Sequence, residues 1–427
     1  MKRHPLVVVM LFVSFLFFSC GRGRSSAISE SDFELERELK MLNKPYVKSF
    51  KDNYGVIFDC IDIYKQPAFD HPLLKNHILQ VSRSPFYTFY GYCQKFVGFF
   101  FCFEKHAARS TGNEPAPRSG TGLPITGESC PYGTVPIRRT LKEDLVRGRA
   151  LRPVYKPTAT DTSGIDGQHF ALVLLDSEKG KTFQGASASI EVYYLPMPSN
   201  AASTAQMLVV DDRSSNVTVV QAGWHIDPGR EGDGQSRLTV YWTADDYKQT
   251  GCPNTQCPGF VLVNQYVAPG TAFPAGSSID LTISRDGGNN YILILTSVPE
   301  VLELLLRCLQ DDQTGHWLVS VSGLIVGYFP RAIVNGMDGS TQVQVGGTVY
   351  APPGSKRPPM GSGIAPGPNS NNGAAKFKWL TVRGSTNFKF RKTKNVDDSS
   401  IYDVVVTSAS QNGPDGFSFQ YGGPGDA

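Results

Sequence analysis

Charge is scarce in this chain and nowhere concentrated. Asp, Glu, Lys and Arg make up 19% of the 427 residues, below the quarter usual for soluble domains, and the formal net charge is only +3. No Lys/Arg block exceeds a few residues, which argues against nucleic acid as the main partner. Histidine is equally thin. Its seven copies are scattered, none pairs with another near Cys252-x4-Cys257, and the sequence therefore calls for no metal and no cofactor. Also missing are a glycine-rich turn within strand–helix alternation and a Gly-x-Ser-x-Gly elbow, which excludes the dinucleotide-binding folds and the ordinary serine hydrolases. Clean apolar runs of membrane-spanning length are absent beyond the first residues. The two candidates, 81–103 and 291–310, are broken by Gln94 and Lys95 and by Pro299, Glu300, Glu303 and Arg307, so no membrane span is expected.

What the chain has in quantity is turn formers, 43 glycines and 29 prolines. From residue 168 onward they punctuate short β-branched and aromatic runs: 170–175, 189–195, 207–210, 218–224, 237–242, 259–263 and 279–283, then 317–321, 325–329, 341–345, 377–382, 402–407 and 417–421. That rhythm predicts an all-β fold, an antiparallel two-sheet β-sandwich of jelly-roll type spanning 168–427. The total length exceeds what one core usually supports, so a second unit is expected. It precedes the sandwich and is mixed in character, with a helix-compatible piece at 30–42 and a strand-like piece at 54–63. A polar stretch at 156–167 marks the boundary.

The extreme N-terminus reads as a secretory signal over 1–21, with Lys2-Arg3, an apolar run over 6–18 and Ser19-Cys20-Gly21. The expected location is extracellular. There, cysteines become disulfide candidates and Asn216-Val217-Thr218 becomes a glycosylation acceptor.

Several segments are recognisable. Residues 66–77, from Gln66 to His77, and 130–140, which open Cys130-Pro131-Tyr132-Gly133, resemble the neprosin activation peptide. Further on, Gln221-Ala222-Gly223-Trp224-His225, Tyr241-Trp242-Thr243-Ala244-Asp245, Cys252 through Cys257-Pro258-Gly259-Phe260, Val326-Gly327-Tyr328-Phe329-Pro330, Met360-Gly361-Ser362-Gly363 and Tyr421-Gly422-Gly423-Pro424-Gly425 follow the neprosin catalytic domain in order. The resemblance to this family of plant glutamic peptidases implies an activation-peptide-like pro-segment over 22–165, which shields the sandwich. On the sandwich's concave face two glutamates would cut peptides, preferentially after proline. Those glutamates belong at Gln221 and at Thr348, which follows Gly346-Gly347, and both are replaced here.

The replacement matters because one carboxylate must take a proton from water while the other donates one to the leaving amine. Neither glutamine nor threonine exchanges protons near neutral pH, although glutamine still donates to an oxyanion, and the eqolisin glutamic peptidases pair Gln with Glu. A catalytically impaired family member is therefore expected. The rival is an active endopeptidase that uses another carboxylate, such as Asp338 or Glu191.

Around the site, Val343 and Val345 alternate with Gln342, Gln344, Gly346 and Thr348, so one face of this strand is polar. Trp224, Tyr241, Trp242 and Tyr247 are either stacking surfaces for a proline-rich peptide or cell-wall polymer, or sandwich core. Two stretches, 81–108 and 287–310, lie where the family runs on without interruption, and Gln80-Val81-Ser82 suits a splice donor. Both read as retained introns or gene-model errors. With Cys20 and their three cysteines set aside, the expected disulfides are Cys60–Cys130 in the pro-segment and Cys252–Cys257 in the sandwich.

Overall fold

Acidic and apolar residues alternate at helical spacing near the N-terminus and form α1 (Glu30–Leu42), which is followed by a meander of three antiparallel strands, β1 (Tyr46–Lys51), β2 (Ile57–Asp62) and β3 (Thr134–Arg138). The computed structural model describes residues 30–80, 128–150, 166–286, 314–367, 372–385, 387–394, 401–410 and 414–426. The expected signal (1–21) and both inserted stretches (81–108 and 287–310) lie outside the described residues. A disulfide ties Cys60 on β2 to Cys130, closing a 70-residue separation. The strand expected over 54–63 starts later. Asp52 accepts from the backbone of Tyr54 and Val56, and Gly55 adopts a φ of 87°, so 52–56 is a tight turn instead. After β3 comes α2 (Lys142–Ala150), a short charged helix whose weak amphipathic pattern gave no sequence signal.

The sandwich strands are, in order, β4 (Gln168–Ser177), β5 (Phe183–Glu191), β6 (Ala202–Asp211), β7 (Thr218–Ile226), β8 (Arg237–Thr243), β9 (Cys252–Pro253), β10 (Val261–Leu262) and β11 (Ser278–Arg285). They continue with β12 (Trp317–Val321), β13 (Leu324–Phe329), β14 (Gln342–Tyr350), β15 (Ala375–Gly384), β16 (Phe388–Lys394), β17 (Asp403–Ser408) and β18 (Ser418–Gly422). A one-turn helix, α3 (Pro228–Glu231), sits between β7 and β8. The strands sort into two antiparallel sheets. One has seven strands in the order β16-β4-β14-β6-β7-β8-β9, and the other has eight in the order β10-β13-β12-β11-β5-β15-β18-β17. The fold is thus all-β with a two-sheet sandwich, preceded by a smaller mixed unit.

The apolar face of each sheet fills the space between them, with Trp224, Trp317, Tyr328, Phe377, Phe419 and Tyr421 fully buried. Removing each such ring from water stabilises the fold by roughly 1.5–3 kcal/mol. Along β14 the core side is Val343, Val345, Gly347 and Val349. Gly347 is a packing requirement: a Cβ there would stand 2.7 Å from Met360 Sδ and from the Tyr421 ring. β16, with Lys389, Arg391 and Lys392 on an edge, pairs among the described residues with β4 alone. Its charge hid it from hydrophobic patterning and suits an edge strand, where lysine discourages pairing with other chains.

Candidate functional site

The opposite face of the seven-stranded sheet carries the site. Register places its side chains in rows that cross the strands. One row runs Tyr241, Gln221, Leu208, Gln344, Leu174, and the row two residues along runs Thr239, Gly223, Gln206, Gly346, Leu172. The next runs Arg237, His225, Thr204, Thr348, Phe170. In the middle row glycines stand directly on both sides of Gln206, on β7 and on β14.

Gln221, Gln206 and Thr348 therefore lie on one diagonal across β7, β6 and β14, each stepped by two residues, a spacing of roughly 7–8 Å that long side chains bridge. Gln221 Nε2 donates to Gln206 Oε1 at 3.2 Å, and Gln206 Nε2 donates to Thr348 Oγ1 at 3.3 Å. All three are 2% exposed or less. Both contacts are long, and their value lies in leaving no buried amide or hydroxyl without a partner. Further along β14, Gln344 donates to Gln342, which donates to Asp176 on β4, and Asp176 also accepts from Arg391 on β16.

At the other end, Tyr247 caps the diagonal by donating its hydroxyl to Gln221 Oε1 at 3.3 Å. Asp246 and Tyr247 both have φ near 59°, a left-handed conformation uncommon for residues other than glycine. Asp245 holds that turn together, accepting from the backbone of Lys248, Gln249 and Thr250 and from the hydroxyls of Thr243 and Thr250. Burial opposes ionisation of Asp245, but these donors outweigh it and its carboxyl is held below the ordinary range. Burial, then the neighbouring Tyr241 and Asp246, pushes the Tyr247 phenol well up, so it remains a neutral donor.

Of the expected site residues, Gln221, Thr348, Tyr241, Gln342 and Gln344 share this face. Trp224 and Trp242 do not. Period-2 alternation along β7 and β8 turns them into the core, where Trp224 Nε1 donates to Glu191 O at 3.0 Å, so they pack between the sheets. Neither alternative carboxylate reaches the diagonal. Glu191 lies on β5 of the other sheet and accepts from the Tyr193 hydroxyl at 2.5 Å and from Lys376 N–H at 3.1 Å. Asp338 precedes β14 and is ion-paired with Arg213 at 2.5 Å. Asn216 is exposed at the turn from β6 to β7. Cys257 is half of a disulfide, while the side chain of its expected partner, Cys252, lies outside the described residues.

Gln206 escaped sequence reasoning because the run expected there began at residue 207. Carrying the alternation back to Thr204 and Gln206 would have shown a second polar strand beside Thr348. His225 also lies on this face, and its Nε2 meets Glu231 Oε1 at 2.9 Å. Among the described residues, no group of three or more His, Cys, Asp or Glu converges as metal ligands do, and no helix is long and apolar enough to cross a membrane.

Two antiparallel sheets, one with a polar, carboxamide-lined face, define a β-sandwich protein. A family model described as Neprosin matches residues 199–424, and one described as Neprosin activation peptide matches 49–173. The chain belongs to the Neprosin family. Among solved structures it is similar to scytalido-glutamic peptidase bound to a peptide-based transition-state analogue, at 14% identity over 60% of this chain and 98% of that one, with a TM-score of 0.32. It is also similar to SCP-B, a member of the eqolisin family of peptidases, in complex with the tripeptide Ala-Ile-His, at 12% identity over the same shares and a TM-score of 0.30.

Proposed function

We propose that this chain is a secreted neprosin-family protein that binds extended, proline-rich peptide or cell-wall polymer on the polar face of its seven-stranded sheet and does not hydrolyse peptide bonds there at a useful rate. The observation that carries the reading is the diagonal Gln221–Gln206–Thr348, in which every side chain is a hydrogen-bonding group and none transfers protons at ordinary pH. Two carboxamides and a hydroxyl still align amide groups and donate to an oxyanion, but nothing on the diagonal activates water. General acid–base catalysis contributes about 10²–10⁴ in rate, and its loss at both positions removes the chemical step while leaving the recognition surface. The face is buried in this form, so binding requires an opening that exposes it. Export is supported by the signal-like start and by the Cys60–Cys130 disulfide, a bond suited to oxidising compartments.

The test is turnover of proline-containing fluorogenic peptides by the purified full chain from acid to neutral pH. Turnover at background is expected throughout. Robust turnover that survives Gln221→Ala and Thr348→Ala would place an active site elsewhere, and turnover abolished by them would show that Gln and Thr suffice. Either result defeats the reading.

A further inference from the structure

An aromatic cleft lies where the N-terminal unit meets the sandwich. Phe50 on β1 and Phe58 on β2, whose rings stack at 5.7 Å, line it together with Pro136 on β3. Tyr54, from the tight turn at 52–56, and Tyr266 and Thr271, from the segment between β10 and β11, complete the lining. The two phenylalanines are buried, whereas Tyr54 and Tyr266 are 46% and 37% exposed. Arg237 holds its guanidinium 5.9 Å from the Tyr54 ring. That arginine ends the row that runs through His225 and Thr204 to Thr348, so three strand spacings, roughly 14 Å, separate this neighbourhood from Thr348.

The lining also decides which chemistry fits. Its one carboxylate, Asp52, is already engaged: Oδ1 accepts from the N–H groups of Tyr54 and Val56, and Oδ2 accepts from Arg237 at 3.0 Å. The cleft thus presents no unmatched charge, and its strongest acceptor is occupied. A sugar offers hydroxyls that call for acceptors as well as donors, and an ionic ligand calls for a free counter-charge. A polyproline segment calls for neither. It presents flat pyrrolidine rings and carbonyl acceptors, has no N–H to satisfy, and is already stiff before it binds. Aromatic rings with donors at the rim are what such a segment docks on, and exposed Asn53 and Tyr54 carry those donors. We infer that this cleft docks a polyproline-type segment of a partner peptide, as a second site separate from the polar face. Both units line it, so the site belongs to the full chain with its N-terminal unit attached.

The experiment is calorimetric titration of the purified full chain with decaproline, with a Gly-Ser decapeptide and cellohexaose as comparison ligands. Decaproline alone should bind. Tyr54→Ala and Tyr266→Ala should each weaken it about tenfold, while Tyr54→Phe and Tyr266→Phe should keep most of the affinity, because the ring face makes the contact. Both tyrosines are exposed, so the alanine variants should melt within a few degrees of the wild type. No binding of decaproline would overturn the inference. Binding that both alanine variants retain would place the peptide elsewhere, on the polar face included, and would overturn it too, as would tyrosine-dependent binding of cellohexaose. None of these outcomes bears on turnover at Gln221 and Thr348, so the two readings fail separately.

Discussion

The side-chain amide of Gln206 donates to the hydroxyl of Thr348 at 3.3 Å from the neighbouring strand, and its carbonyl accepts from Gln221. One carboxamide thus spans Gln221 and Thr348, and it is already aimed at the atom that a longer acid at 348 would replace.

Thr348→Glu should therefore create activity. Its carboxylate would accept from Gln206 Nε2 and serve as base, while Gln221 steadies the oxyanion, for a gain of about 10²–10⁴ over the wild type. Adding Gln221→Glu should produce a two-carboxylate site with an acidic optimum, because two nearby acids split their pKa values. Gln221→Glu alone should do little. Peptide cleavage by all four proteins, each confirmed folded by circular dichroism, checks this. Folded but inactive single and double variants would mean that other parts of the groove have decayed.

Gly347→Ala should destabilise the sandwich by about 1–3 kcal/mol, since the added methyl must displace Met360 Sδ or the Tyr421 ring, both 2.7 Å away. Urea unfolding measures it. A change below a few tenths of a kcal/mol would show that the two sheets separate easily at this point.

A histidine pair makes stability depend on pH. Burial, then His77 and Arg331, lowers His316 from its ordinary 6.5 to about 4, against an upward pull from Asp286; burial also lowers His77. The two rings lie 5.2 Å apart beside Tyr328. Between pH 6.5 and about 4 the unfolded chain binds protons that the folded one refuses. Stability is thus lost as pH falls through that window, by at most about 1.4 kcal/mol per pH unit for each histidine. His316→Asn keeps an acceptor for Arg331 N–H and should flatten the slope. Identical slopes for the variant and the wild type would refute the assignment.

Cys60→Ser with Cys130→Ser should cost about 2–5 kcal/mol, because the bond closes a 70-residue separation. Denaturant unfolding with and without reductant reports it, and an equal midpoint in both would show that the contacts of the N-terminal unit hold it without the bond.

Patterns of one or two residues were enough to make much of this protein legible. Alternation of β-branched residues with turn formers announced the sandwich, and β12 falls on its expected 317–321 because Trp317, Val319 and Val321 alternate inward without interruption. Strict alternation also assigned Thr348 to a polar face opposite Val343 and Val345, because side-chain direction in a strand is a local property. Tertiary structure decided whatever depends on which strands become neighbours. The placement of β6 between β7 and β14 makes Gln206 the link between residues 127 positions apart, and no periodicity within one strand contains that information. Likewise, only the fold could distinguish Trp242, turned into the core, from Tyr241, turned onto the site face, since aromatic character is the same in both and the buried side is chosen by the second sheet. The bonding of Gln66 to Leu262 and of Arg138 to Glu231 belongs to the same class: each joins two units across a surface that exists only once both have folded.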